Sequence, residues 1–235
     1  MRLQLILNMK NIKLPVSYRR GIQAFLYSSL PARYAASLHE TEAQGVIKPF
    51  TFSDLKGPYS ITDHNEIVFR DSACLYIASS DYEFLSTIYN RLSKTAKIDL
   101  CSNFIDIAGI EILENESHDG TIRYRTLSPI TVYKTAETGY RQFYSPEDDE
   151  FPSLILDNIS HKYIQLFNEE MNDYFNIYMP EKIKRRVCSY KNIKYVAYDF
   201  SMKIDTTKKI HNLIMDLGIG TRNSIGFGML EKISH

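Results

Sequence analysis

Residues 1–8, MRLQLILN, place Leu3, Leu5 and Leu7 on alternate positions, the pattern of a strand with one buried face. From residue 14 to residue 40 the spacing changes. Tyr18, Ile22, Phe25, Leu26 and Leu30 recur every three to four residues, which predicts a helix with one apolar side. Pro31 interrupts the run, because it lacks an amide hydrogen and its ring clashes with the preceding turn; residues 33–38 resume it. Residues 48–57, 66–71 and 73–80 read as strands, with the turn-rich ITDHN between the first two. Asp81 is placed to cap a helix over 81–94, whose Phe84, Leu85, Ile88 and Leu92 share one side. One or two strands over 97–114 close this half.

The order repeats after NESHDG (115–120), a loop by composition. A strand is predicted over 121–135, then a long helix over 151–179 with Leu156, Ile159, Tyr163, Phe167, Tyr174 and Ile177 in register. IKRRVCSYKN and IKYVAYDFSMKI read as paired strands, 206–217 as a second helix and 224–233 as a closing strand. Two consecutive βαββαβ units predict an α+β fold of two tandem ferredoxin-like domains, RNA-recognition-motif-like in topology, over 1–119 and 120–235. The repetition is one of element order; the residues themselves do not repeat.

With 235 residues, 44% hydrophobic and 24% charged, the chain has the composition of a soluble globular protein able to bury a sizeable core. Lysines plus arginines equal aspartates plus glutamates at 28 each, so bulk charge does not announce a nucleic-acid binder. The distribution is uneven, however. Residues 181–195 hold six Lys/Arg against one Glu, whereas SPEDDEFPS (145–153) is purely acidic, and a neutral total can hide a basic face. Cys74, Cys101 and Cys188 are widely spaced, odd in number and without CxxC spacing, which argues against a disulfide framework and a zinc site. No secretory pattern opens the chain and no stretch approaches the roughly 18 apolar residues of a membrane span. The expected location is the cytoplasm, with no membrane partner.

Four of the ten glycines fall in GIGTRNSIGFG, residues 218–228. A dinucleotide or phosphate loop needs a strand before its glycines and a helix after them, so that the helix N-terminus faces the phosphate. Here a helix precedes and a strand follows, and the phosphate-loop lysine is absent, so a nucleotide cofactor is a poor reading. Gly218 is placed as the left-handed residue ending the preceding helix. Two readings stay open for the rest. The glycines let consecutive turn amides form an anion-binding concavity to which Arg222 adds a charged fork, or they serve only tight turning.

Gly218-Ile219-Gly220, five residues including Arg222, then Gly226-Phe227-Gly228 resembles the glycine-rich signature of the pre-crRNA-processing CRISPR endoribonucleases (Cas family member six, within the RAMP superfamily). The similarity extends to LHETEAQGVIKPFTFSDL (38–55), to LPVSYRRGIQAFLYSSL (14–30) as the first helix, and to LSPITV (127–132) as a Ser-Pro-Ile strand opening the second domain. The resemblance implies tandem ferredoxin-like domains and cleavage of CRISPR repeat RNA, leaving a 2′,3′-cyclic phosphate and a 5′-hydroxyl. It implies repeat RNA as the partner, allows other effector subunits beside it, and allows a monomer or a homodimer. A catalytically inactive RAMP-type RNA-binding subunit of the same fold is the alternative.

Under that resemblance His39 is the first candidate for catalysis, since imidazole exchanges protons near neutrality at its ordinary pKa of about 6.5. RNA supplies its own nucleophile in the 2′-hydroxyl, so the reaction needs proton transfer and charge stabilisation but no metal or cofactor. The family commonly adds a tyrosine from the first helix and a lysine just beyond the histidine. Tyr27 and Lys48 occupy the matching stretches, with Tyr34 competing for the first role. The other histidines, His64, His118, His161, His211 and His235, read as surface or capping residues. RNA contact is expected from Gly218, Gly220, Arg222, Gly226 and Gly228, from Arg19 and Arg20 on the first helix, and from Lys184, Arg185 and Arg186 in the 182–195 hairpin. Tyr190 and Tyr195 are interleaved there for stacking.

Overall fold

The computed structural model describes residues 1–43, 46–179 and 182–233, with backbone alone for residues 39 and 41–43. The first half consists of β1 (Arg2–Asn8), β2 (Lys13–Pro15), α1 (Arg19–Ser28), α2 (Ala32–Ala43), β3 (Phe50–Phe52), β4 (Tyr59–Ile61), β5 (Glu66–Phe69), β6 (Ser72–Ser79), α3 (Tyr82–Leu92), β7 (Lys97–Leu100) and β8 (Asn103–Leu113). The alternating leucines of β1 put it at the centre of an antiparallel sheet of order β3-β6-β1-β8-β7. Leu3, Leu5 and Leu7 all point into the core. Ile22 and Leu26 of α1 and Phe84, Leu85 and Ile88 of α3 pack in the same buried cluster. Asp81 caps α3 by accepting the amides of Glu83 at 2.9 Å and Phe84 at 3.4 Å. α1 ends before Pro31, as its ring requires.

The second half consists of β9 (Gly120–Thr126), β10 (Tyr133–Thr135), β11 (Arg141–Phe143), α4 (Phe151–Phe167), β12 (Phe175–Tyr178), β13 (Ile183–Tyr190), β14 (Ile193–Thr206), α5 (Lys208–Leu217), a 3₁₀ turn (Asn223–Ile225) and β15 (Leu230–Lys232). Its sheet runs β12-β14-β9-β15, and β13 pairs with the first part of the long β14. In each half the first strand lies between the third and the last strands of its βαββαβ unit. Both halves are therefore ferredoxin-like, and the α+β tandem is the fold.

Several expected boundaries move. The helix predicted over 151–179 stops at Phe167, where Asn168 turns left-handed (φ 55°, ψ 35°) and its amide caps the Ile164 carbonyl at 2.8 Å. Phe175 and Ile177 belong instead to β12, paired with the end of β14. The strand predicted over 121–135 ends at Thr126, because residues 127–130 turn away to bond Met229 and Tyr198. Only residues 50–52 of the 48–57 run form a strand, and only residues 230–232 of the 224–233 run. His211 is not a surface or capping residue. It is fully buried, with Nδ1 accepting the Tyr124 hydroxyl at 2.9 Å while Nε2 donates to the Gly120 carbonyl at 2.8 Å. His235 lies outside the described residues.

A buried ion network ties the two halves together. Asp54 takes Arg19 on one oxygen and Arg186 on the other at 2.7 Å, and Arg186 also reaches Asp199 at 3.1 Å. Burial alone would push the Asp54 carboxyl up; the Arg19 and Arg186 guanidiniums overcome this and hold it below the usual carboxylate range. No helix among the described residues is long and apolar enough to cross a membrane.

Candidate RNA-processing site

Residues 218–228 fold into a compact arch whose glycines face inward. All four are buried, and each has φ between 68° and 89°. Gly218 and Gly228 stand back to back across the arch, with the Ile219 amide donating to the Gly228 carbonyl at 2.9 Å. A Cβ on Gly218 would come within 2.7 Å of that same Gly228 oxygen. Asn223 closes the arch from within, donating Nδ2 to the carbonyls of Ile219 and Phe227, each at 3.0 Å. The Gly228 amide donates to Pro129 and the Thr221 amide to Thr131, each at 2.9 Å. LSPITV is therefore the segment on which the arch is seated. Gly218 leaves helix α5 with ψ 175°, so it is not the left-handed cap that its position predicts.

The arch also fastens the two halves. Arg19 donates Nε to the Gly226 carbonyl at 3.1 Å and lies 5.1 Å over the Phe227 ring, while Gln23 donates to the Ser224 carbonyl at 2.9 Å. This corrects three expectations. The four glycines pack against protein on their inner side, and of them only Gly220 borders the cavity described below. Arg19 is 3% exposed and bonded to Asp54 and Gly226, so it holds the arch and presents no face to a phosphate. Arg186 is occupied by Asp54 and Asp199. The Arg19 charge is spent inside the protein, and that of Arg186, half-buried, is shared between two carboxylates.

What the arch presents outward is its crown, Thr221, Arg222 and Ser224, all half-buried. The crown lines a cavity of about 250 Å³ together with Gly220, Lys48, Tyr133, Asn158 and Lys162. Arg222 donates Nε to the Tyr133 hydroxyl at 2.7 Å. Lys162 is the residue that sequence reasoning missed. It is 3% exposed and donates Nζ to the carbonyls of Gly218 at 2.8 Å and Gly220 at 3.1 Å. Burial lowers its pKa to about 7. The available signal was its position in the stripe Ile155, Ile159, Lys162, Tyr163, where a lysine occupies an apolar register on α4.

The structure brings two of the three catalytic candidates together. Lys48, after α2, sets its ammonium 5.4 Å over the face of the Tyr27 ring on α1, and that ring packs edge-on against Phe50 at 6.2 Å. His39 falls within α2, and its side chain lies outside the described residues. Tyr34 is taken up elsewhere: its hydroxyl donates to Asp81, and burial with that bond pushes the phenol pKa up. Arg20, Lys184 and Arg185 are exposed. Arg20 borders a second groove of about 760 Å³ between α1 and the β13–β14 turn, where Lys191 and Lys194 also lie. Among the described residues no three His, Cys, Asp or Glu side chains converge on a point where a metal would sit.

Comparison with known proteins places this architecture. A family model described as CRISPR associated protein Cas6, C-terminal, matches residues 112–232. A protein of Methanocaldococcus jannaschii named CRISPR-associated endoribonuclease Cas6 2 is 30% identical over 236 residues, covering 92% of each chain. The solved structure of a Cas6-related gene product from Pyrococcus furiosus superposes with a TM-score of 0.86 at 21% identity, covering 100% of this chain and 99% of that one. A RAMP protein described as binding different RNA substrates superposes with a TM-score of 0.83 at 20% identity over the full length of both chains. The two superpositions speak to fold, while the Methanocaldococcus jannaschii relative and the family model speak to descent: this chain belongs to the Cas6 family.

Proposed function

We propose that this chain, a CRISPR-associated endoribonuclease by family, cuts the repeats of pre-crRNA in the cytoplasm without a metal ion. The 2′-hydroxyl beside the scissile phosphate attacks phosphorus and the bond to the 5′-oxygen breaks, leaving a 2′,3′-cyclic phosphate and a 5′-hydroxyl. His39 exchanges the protons of the nucleophile and the leaving group, Tyr27 hydrogen-bonds at the reacting centre, and Lys48 offsets the charge gathering on the phosphorane. His39, Tyr27 and Lys48 belong to a first domain over 1–119, and the arch to a second over 120–235. Arg20, Arg222, Lys184 and Arg185 guide the RNA backbone, while the arch glycines, Arg19 and Arg186 shape the surface beneath it.

The observation that carries this reading is the seating of the Lys48 ammonium against Tyr27, with Lys48 bordering the cavity under the arch. The name of the Methanocaldococcus jannaschii relative and a solved Cas6 product complex support it. The test is incubation of a repeat RNA with wild type and His39→Ala in excess EDTA, with product ends read by mass spectrometry. Wild type yields the cyclic phosphate, and the variant binds without cutting. Equal cleavage by both removes His39 from the mechanism; binding without cleavage by either makes the chain an RNA-holding subunit.

A further inference from the structure

We propose that the cavity between α4 and the arch is a nucleobase pocket, holding the base of one of the two nucleotides that flank the cut through a hydrogen bond to Asn158. This rests on the cleavage of repeat RNA proposed above and adds the group that sets the RNA in register.

Asn158 and Lys162 lie one turn apart on α4, both lining the cavity. The Asn158 Oδ1 is buried and has no hydrogen-bond partner among the described residues. Leaving such an acceptor unmet is costly, so an ordered water or a ligand that displaces it must meet it. The neighbouring lysine bonds the carbonyls of Gly218 and Gly220 instead and leaves the Asn158 oxygen unmet.

The cavity thus asks for a donor. Lys48, Lys162 and Arg222, which also line the cavity, suit the phosphates of the chain, whereas the Asn158 oxygen needs an N–H donor. A nucleobase edge carries N–H groups and suits it. The size agrees: pockets for drug-sized ligands run to roughly 300–1,000 Å³, and this one, at about 250 Å³, is scaled to a single flat group. The walls are suited to such a group as well, with Val46 and Ile47 on one side and the Tyr133 ring among the others. Lys48 lines the same cavity, so a base held there leaves its own phosphate beside the Lys48–Tyr27 pair. The depressed pKa of Lys162 accords with a dry floor.

The probe is a repeat RNA carrying a 2′-deoxy nucleotide at the cut, which binds but supplies no nucleophile, made intact and with an abasic site at either flanking position. At fixed salt, one of the two abasic RNAs binds wild type about tenfold more weakly than the intact RNA. Asn158→Leu, which removes the acceptor and leaves an apolar group in its place, binds intact RNA about tenfold more weakly and adds no further abasic penalty. The abasic arm uses wild-type protein, so the test stands if Asn158→Leu does not fold. Wild-type affinities within about twofold for all three RNAs overturn the pocket, as does a full abasic penalty in Asn158→Leu. Cleavage of the 2′-hydroxyl repeat is followed in parallel. An abasic penalty without cleavage removes the proposed activity while leaving the pocket and its occupant in place.

Discussion

Replacing Lys162 by methionine isolates the electrostatics of the arch. The side chain keeps its length and its apolar stem but loses the ammonium that holds Gly218 and Gly220. In wild type, burial lowers the lysine pKa from 10.5 to about 7. Below pH 7 folded and unfolded chains both carry the charge, and the folded state bears the whole desolvation cost. Between pH 7 and 10.5 the unfolded chain still holds a proton that the folded lysine has released, so stability rises with pH. With one proton at 1.36 kcal/mol per pH unit, the rise between pH 7.5 and 9 is about 2 kcal/mol. Lys162→Met lacks this increment. Tyrosines and cysteines titrating in the same range are common to both proteins, so the quantity to measure is the difference between their urea-unfolding free energies at each pH. The difference should shift by about 2 kcal/mol in favour of wild type as the pH rises. Parallel curves across that range would show that Lys162 stays charged in the fold, and the account of a dry floor would be wrong.

Asp54→Ala leaves the Arg19 guanidinium buried beside no carboxylate and should cost about 3–5 kcal/mol of stability, measured by urea unfolding; a loss under about 1 kcal/mol would mean that water reaches the network. His211, buried and neutral, has a lowered pKa because burial disfavours its charged form. Its stabilising effect is complete above the unfolded value of about 6.5 and is lost as pH falls below it, so His211→Gln should lose less stability than wild type between pH 7 and 5 in thermal melts. Identical pH profiles would count against it. Lys184→Ala and Arg185→Ala should each flatten the salt dependence of RNA affinity by about one charge, whereas unchanged slopes would place the RNA away from β13.

The sequence carried the fold where one physical rule dominated. Alternating leucines marked β1, the missing amide of Pro31 marked the break between α1 and α2, and the Asp81 carboxylate marked the start of α3. It was ambiguous where two periods coincide. Phe167, Tyr174 and Ile177 fit a helical register as well as they fit a loop followed by β12, and nothing local to the chain separates those readings. The site was legible to the same degree. The glycine spacing pointed to the arch, but freedom to adopt positive φ and to approach another backbone serves an inward-packed turn as well as an outward-facing one. Only the tertiary contacts, such as Gly228 on Pro129 and Arg19 on Gly226, reveal that the glycines build a fastening and that its crown does the facing. Arg19 and Arg186 carry a related lesson: a charge in sequence does not disclose that Asp54, distant along the chain from both, folds against it.

The most direct test of the central claim is where the cut phosphate sits. A structure of the complex with a repeat RNA carrying a 2′-deoxy nucleotide at the cut should place that phosphate beside Tyr27 and Lys48, under the crown of the arch, with the His39 ring within about 2.6–3.2 Å of the nucleophile position or the leaving oxygen. A scissile phosphate lodged on the outer face of either sheet, out of reach of these three side chains, would contradict the account.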